Sequence, residues 1–161
     1  MLIRPAFPDD AAAIHAVVTA AFGGEDEARL IAALDADGDT VVSLVAVEAD
    51  EIVGHILLSG LAAPFPSLAL APLAVRPDHQ RRAVGSALVR AAIQAGQVAG
   101  ARAIFVLGDP DYYGRFGFGA AQARGFSSPY AGPHLMVLPL GGPLPVPTGR
   151  IDHAPAFAAL V

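Results

Sequence analysis

The stretch that most narrows the possible folds of this chain runs from residue 67 to residue 108. SLALAPLAV, residues 67–75, is apolar and strand-like. From 84 to about 98 the period changes, with Val84, Leu88, Ala91, Ala92 and Ala95 on one side of a helix that Gly100 ends. ARAIFVLG, residues 101–108, is a short apolar run of the kind buried in a parallel sheet. Strand, helix and strand in this order make a βαβ crossover, which puts two strands parallel in one sheet. Pro72 falls inside the first strand and has no N–H to give a ladder, so it predicts a bulge or an unpaired stretch there.

The surrounding elements make the sheet mixed rather than purely parallel. Residues 2–4 suit an edge strand. Pro8-Asp9-Asp10 is a helix-start signal, and Ile14, Val17, Val18, Ala21 and Phe22 follow at helical spacing before Gly23-Gly24. A second short helix is expected over about 25–34, with Ile31 and Leu34 inward and Glu27 and Arg29 outward. Residues 41–62, VVSLVAVEA and EIVGHILLSGLA, read as two strands turning at Ala49-Asp50-Glu51. HLMVLPL gives a late strand near 134–140, 141–148 a Pro/Gly-rich loop, and 155–160 a last helical turn or two. No repeat or linker divides the 161 residues, so an α/β fold with a mixed sheet is expected in one domain, 1–161.

Composition bounds the partners. Hydrophobic residues make up 54% and mean hydropathy is +0.52. Even so, no run approaches the ~20 apolar residues that span a bilayer, and MLIRPAFPDD reaches acidic residues too soon for a signal peptide. The chain has no Cys, which excludes disulfides, thiolate chemistry and a Cys-based zinc site; no metal, no membrane and a cytoplasmic location are expected. A net charge of -5 argues against nucleic acid as a partner. The charge is also uneven. Residues 1–51 hold 11 acidic side chains against Arg4 and Arg29, the remainder holds 4 against 8 Arg, and there is no Lys. Arg76, Arg81, Arg82 and Arg90 fall close together. Such a distribution can draw an anionic cofactor to one region and a cationic substrate to another, although solvated surface accounts for most charges of this kind.

The most informative segment is LAVRPDHQRRAVGSALVRAAI, residues 73–93. An apolar strand ends, a loop of Gln80, Arg81, Arg82, Ala83, Val84 and Gly85 follows, and an amphipathic helix begins. A helix start presents unpaired N–H groups and the positive end of its dipole, which suits a pyrophosphate. Gly85 lets the backbone come close, and Arg81 and Arg82 add charge. The same features also describe an ordinary helix start with a tight-packing Gly. A P-loop is unsupported, since no Gly-Lys-Ser/Thr occurs. A dinucleotide fold wants its Gly-rich turn after the first strand and a carboxylate ~20 residues on, and neither is found.

The segment resembles the acetyl-CoA signature of the GNAT superfamily of N-acetyltransferases, Gln or Arg followed by x-x-Gly-x-Gly or Ala. Gln80 matches the first position and Gly85 the last, while Ala83 stands where the pattern has its middle Gly. If residue 83 is helical the methyl is harmless; if it takes positive φ the Cβ costs clearance. The resemblance implies the family fold, a twisted mixed sheet with a splayed parallel strand pair flanked by helices. It also implies that backbone amides from Arg81, Arg82, Ala83, Val84, Gly85 and Ser86 hold the pyrophosphate of acetyl-CoA, while Leu73, Ala74 and Val75 lie along the pantetheine arm.

A second segment, VLGDPDYYGRFGFGAA at residues 106–121, resembles the family's ending in which a Tyr stands five residues before the Phe of a Gly-Phe pair. Tyr113 is that residue. The two segments together span roughly 67–121, and the phrase GDPxYYxxFGF is similar to that of a predicted-acetyltransferase subfamily. The resemblance implies that Tyr113 binds near the thioester and protonates the departing thiolate, with Tyr112 packing beside it. No general base announces itself. Glu25 and Glu27 are candidates to bind or deprotonate an amine, His55 and His134 are the others, and Asp109 suits a cap on the following turn. The function implied is acetyl transfer from acetyl-CoA directly to a primary amine, by a monomer or homodimer, since no Cys can carry the acetyl group. The edge near HLMVLPL would permit strand-to-strand dimers. The alternative is a non-catalytic sensor that binds acyl-CoA.

Overall fold

The computed structural model describes residues 1–160. In chain order its elements are β1 (Leu2–Pro5), α1 (Ala11–Phe22), α2 (Asp26–Asp37), β2 (Thr40–Glu48), β3 (Glu51–Leu61), β4 (Ser67–Val75) and α3 (Val84–Val98). There follow β5 (Ala103–Leu107), α4 (Pro110–Tyr113), α5 (Ala120–Ala123), β6 (Phe126–Ser127), β7 (Leu135–Pro139) and β8 (Gly149–Arg150). Six strands form one sheet in the order β1-β2-β3-β4-β5-β7, and β6 pairs with β8 apart from it. Within the six, only β4 and β5 run parallel; every other neighbour is antiparallel. The mixed sheet and its single crossover are therefore as the sequence predicts.

Alternation along the strands divides the core. Ile56, Leu58, Leu68, Leu70, Ile104 and Val106 face α3 and pack on Val84, Leu88 and Ala92. Val45, Leu57 and Ala74 face the other way, onto Ile14, Val17 and Val18 of α1 and Ile31 and Leu34 of α2, with Phe157 closing that side. Phe105 meets Phe126 edge-on at 5.4 Å in a third cluster beyond β4. Gly54 brings the start of α3 onto β3: a Cβ there would stand 2.9 Å from Leu88 Cδ1 and 3.2 Å from the Ala74 carbonyl oxygen. At the hairpin tip both Ala49 and Asp50 are left-handed (φ 49° and 63°), which a two-residue turn between twisted strands requires.

The feature that shapes the site is the parting of β4 from β5. Their ladder holds four register pairs, Ser67–Leu70 against Ala103–Val106, and then stops. The other side of β4 stays paired with β3, but its register steps from Leu58↔Leu70 to Ile56↔Leu73. Two residues of β3 thus span three of β4, a bulge at the place that Pro72 marked. Past it, Leu73, Ala74 and Val75 remain bonded to β3 and face no strand on the other side. The outer edge of β7 is less open than expected: Gly119 exchanges two backbone hydrogen bonds with Val137, at 2.9 and 3.0 Å. Among the described residues, no helix is long and apolar enough to cross a membrane.

Candidate active site

The opened edge of β4 runs into a cleft of about 510 Å³ lined by Leu73, Val75, Gln80, Arg81, Ala83, Gly85, Ser86, Tyr112 and Arg115. Seven of these nine are residues expected from the sequence for the cofactor. Gln80 does not reach across the cleft; its Nε2 donates to the Val75 carbonyl at 3.1 Å and so ties the loop to the strand it left. Arg81 and Ala83 both take left-handed conformations, φ 65° and 63°. Ala83, at the helix N-cap, is therefore not helical, and its Cβ carries a cost that glycine would not. Left-handed residues at alternate positions fold a backbone into a concave nest of N–H groups, which here meets the N-terminus of α3. Val84 is buried under the sheet, while Arg81, which lines the cleft, and Arg82 are exposed.

The far wall comes from the turn after β5. Asp109 caps it, accepting from the Asp111 N–H at 3.0 Å, and Tyr112 and Tyr113 both donate backbone N–H to the Asp109 carbonyl. The two rings meet edge-on at 5.0 Å. Tyr112 points its hydroxyl at the start of α3, where a Cβ on Gly85 would stand 2.6 Å from it. Glycine at 85 is thus what lets a tyrosine from another element reach the helix N-terminus. Arg115 lies over the Tyr112 ring at 4.7 Å and donates to Ser86 Oγ at 3.3 Å. Neither Tyr112 as a polar group nor Arg115 was read from the sequence. Their i, i+3 spacing on a turn was the available signal.

Tyr113 lies deeper. Its ring covers Gly108 at the end of β5 and meets Phe118 edge-on at 5.7 Å. Burial first, and the neighbouring Tyr112 second, push its hydroxyl up to about 12, so it is a proton donor at any ordinary pH. His134 stands at the same strand end, with Nδ1 3.2 Å from the Gly108 carbonyl. A carbonyl only accepts, so Nδ1 carries the hydrogen and a neutral ring keeps Nε2 free as a base.

The remaining candidates sit elsewhere. Glu25 is exposed before α2, 3.2 Å from Arg29 and 3.5 Å from His15; Glu27, in the first turn of α2, is half-buried and unpaired among the described residues. His55 is fully buried under α1, with Nε2 2.9 Å from Ser43 Oγ, and burial pulls it down to about 4. A larger groove, about 790 Å³, opens between α1, α2 and β2, but alanines line much of it and none of the motif residues borders it. Volume is a poor guide here. The smaller cleft has the helix N-terminus, the arginines and the opened strand.

The model of the acetyltransferase (GNAT) family matches residues 10–118. An uncharacterized N-acetyltransferase of Escherichia coli K12, YjhQ, is 38% identical over 130 residues, covering 75% of this chain and 71% of its own. A GNAT acetyltransferase from Brucella melitensis, solved in complex with acetyl-CoA, superposes with a TM-score of 0.82 at 31% identity over 97% of both chains. YhbS of Escherichia coli, solved in complex with CoA, gives 0.87 at 27% identity over 98% of this chain and 91% of that one. The matched span takes in the crossover, the left-handed loop and the tyrosine turn, and the chain belongs to the GNAT family of acetyltransferases.

Proposed function

We propose that the chain, acting as one domain over residues 1–161, transfers the acetyl group of acetyl-CoA directly to a primary amine. The observation that carries this reading is the route from the opened edge of β4 into the left-handed loop at 81–83, with Tyr113 at the end of the strand opposite. Backbone N–H groups from Arg81 to Ser86 would hold the pyrophosphate, with Arg81 and Arg82 adding charge, and Leu73, Ala74 and Val75 would flank the pantetheine arm. The fit is favourable, because Gly85 borders the cleft without a Cβ, beside Arg81 and Ser86. Acetyl-CoA supplies an activated acetyl group as a thioester.

The residues then have distinct tasks. The C–N bond forms as the C–S bond breaks, and Tyr113, held protonated, gives its proton to the departing sulfur. Direct attack needs a neutral amine. Glu25 and Glu27 serve to bind or deprotonate it from the start of α2, and His134, beside Gly108, is a further candidate base. No cysteine is present to carry the acetyl group between steps. The protein is taken to act in the cytoplasm as a monomer or homodimer, without nucleic acid or membrane.

The test is release of free CoA thiol from acetyl-CoA against a panel comprising a polyamine, an aminoglycoside, an amino acid, a peptide N-terminus and a lysine side chain. Release above the rate without amine supports the enzyme. Acetyl-CoA that raises the melting temperature but is never consumed would favour a sensor, a reading to which the strained Ala83 lends weight.

A further inference from the structure

We infer that Arg115 and Tyr112 are positioning residues that couple an occupied phosphate cradle to the placement of the Tyr113 hydroxyl. The inference rests on the cofactor reading above and concerns how one end of that ligand prepares chemistry at the other.

The turn carrying these residues is stiff. Asp109 caps it through Asp111 and receives both tyrosine N–H groups, and Gly117 closes it on the Gly114 carbonyl at 3.1 Å. Tyr112 is held by rings on two sides, Tyr113 at 5.0 Å and Phe116 at 5.5 Å. The Arg115 guanidinium rests on Tyr112 and Phe116 at 4.7 and 5.2 Å, and its Nε donates to the Tyr112 carbonyl at 3.3 Å. A displacement of Arg115 is therefore passed on to Tyr113.

This turn meets α3 at the ligand site. Arg115 donates to Ser86 Oγ, and the Tyr112 hydroxyl stands against Gly85. Among the described residues Arg115 has no ion-pair partner, although it faces the positive end of a 15-residue helix and shares the cleft with Arg81. A guanidinium with two donors engaged and the rest unspent, in a region of like charge, is stabilised by an anion shared with the helix N-terminus. Tyr113 does not line that cleft; it covers Gly108 instead. Phosphates in the cradle thus reach Tyr113 only through the turn, by drawing Arg115 and Tyr112 onto α3. Binding energy from a non-reacting part of the ligand is thereby used to orient the proton donor.

The experiment needs no acetyl acceptor. The chain has three tyrosines, so ring-labelled protein gives three resolvable sets of tyrosine signals. The probe is adenosine 3′,5′-bisphosphate, which carries phosphates but no thioester arm. At saturation the signals of Tyr112 and Tyr113 are expected to shift, with Tyr130 unmoved. In Arg115→Met, brought to saturation at higher probe concentration and checked for an unchanged melting temperature, Tyr112 still responds and Tyr113 does not. Arg115→Lys restores the charge without the planar stacking and should fail to restore the Tyr113 response. With acetyl-CoA and any working amine, Arg115→Met should lower kcat about tenfold as well as raise KM. A bound probe that leaves Tyr113 unmoved in the parent protein, or moves it equally in Arg115→Met, overturns the coupling alone. Failure of both the probe and acetyl-CoA to bind overturns the cofactor reading, and the coupling with it.

Discussion

Replacing Ala83 by glycine should stabilise this protein, against the usual direction of an alanine-to-glycine change. The residue holds φ 63° and ψ 14°, and its side chain is exposed, so little packing is lost with the methyl. A side chain in the left-handed region costs about 1–2 kcal/mol, and glycine's extra freedom in the unfolded chain takes back about 0.5–1 kcal/mol. The net gain is about 0.5–1 kcal/mol, a rise of about 1–4 °C in Tm for a chain of this length. Ala87, four residues on inside α3, supplies the control: it is helical, and the same substitution there should cost about 0.5–1 kcal/mol. Urea unfolding of both variants, with m unchanged, reads the two signs, and calorimetry with CoA should show Ala83→Gly binding more tightly. If Ala83→Gly destabilises as much as Ala87→Gly does, residue 83 is helical in solution and the loop geometry drawn here is wrong.

Other outcomes follow from the same site and from the buried core. Gly85→Ala places a methyl against the Tyr112 hydroxyl and should weaken acetyl-CoA binding by about tenfold, or about 1.4 kcal/mol; unchanged affinity by calorimetry would remove Tyr112 from the cleft. Tyr113→Phe should lower turnover about 10²–10⁴-fold with acetyl-CoA affinity unchanged, and full turnover would rule out its role as the acid. His55 remains neutral in the fold down to about pH 4, whereas the unfolded chain takes up that proton near 6.5. Its contribution is therefore complete above about pH 6.5 and is lost as pH falls toward 4, by about 3 kcal/mol. Urea midpoints across that window, with NMR titration of the ring, test this; a His55 signal titrating near 6 would refute it.

The crossover, the hairpin and the bulge at Pro72 could be read from the chain because each rests on local chemistry: a change of period, a turn residue, a missing donor. The loop residues from Gln80 to Ser86 were legible for the same reason. What could not be read depends on contacts across the fold. The conformation of Ala83 is set by the need to turn from β4 into α3 within a few residues, and two answers were open until the backbone was seen. Arg115 carries no local mark in the sequence; it joins the cleft because the turn after β5 sets it on Ser86 of α3. Glu25 is a similar case: the acidic start of α2 marks it as a candidate, and only the structure shows Arg29 at 3.2 Å and His15 at 3.5 Å beside it.

The four-pair ladder between β4 and β5 has a mechanical consequence. It is a parallel seam between two antiparallel blocks, β1 to β4 on one side and β5 with β7 on the other. A ligand lying along Leu73 to Val75 and reaching the tyrosine turn would stitch the blocks together where the seam has already opened. Much of its effect should then be felt as stiffness between two leaves, with amide exchange slowing most at Leu70 and Val106, the last rung before the gap.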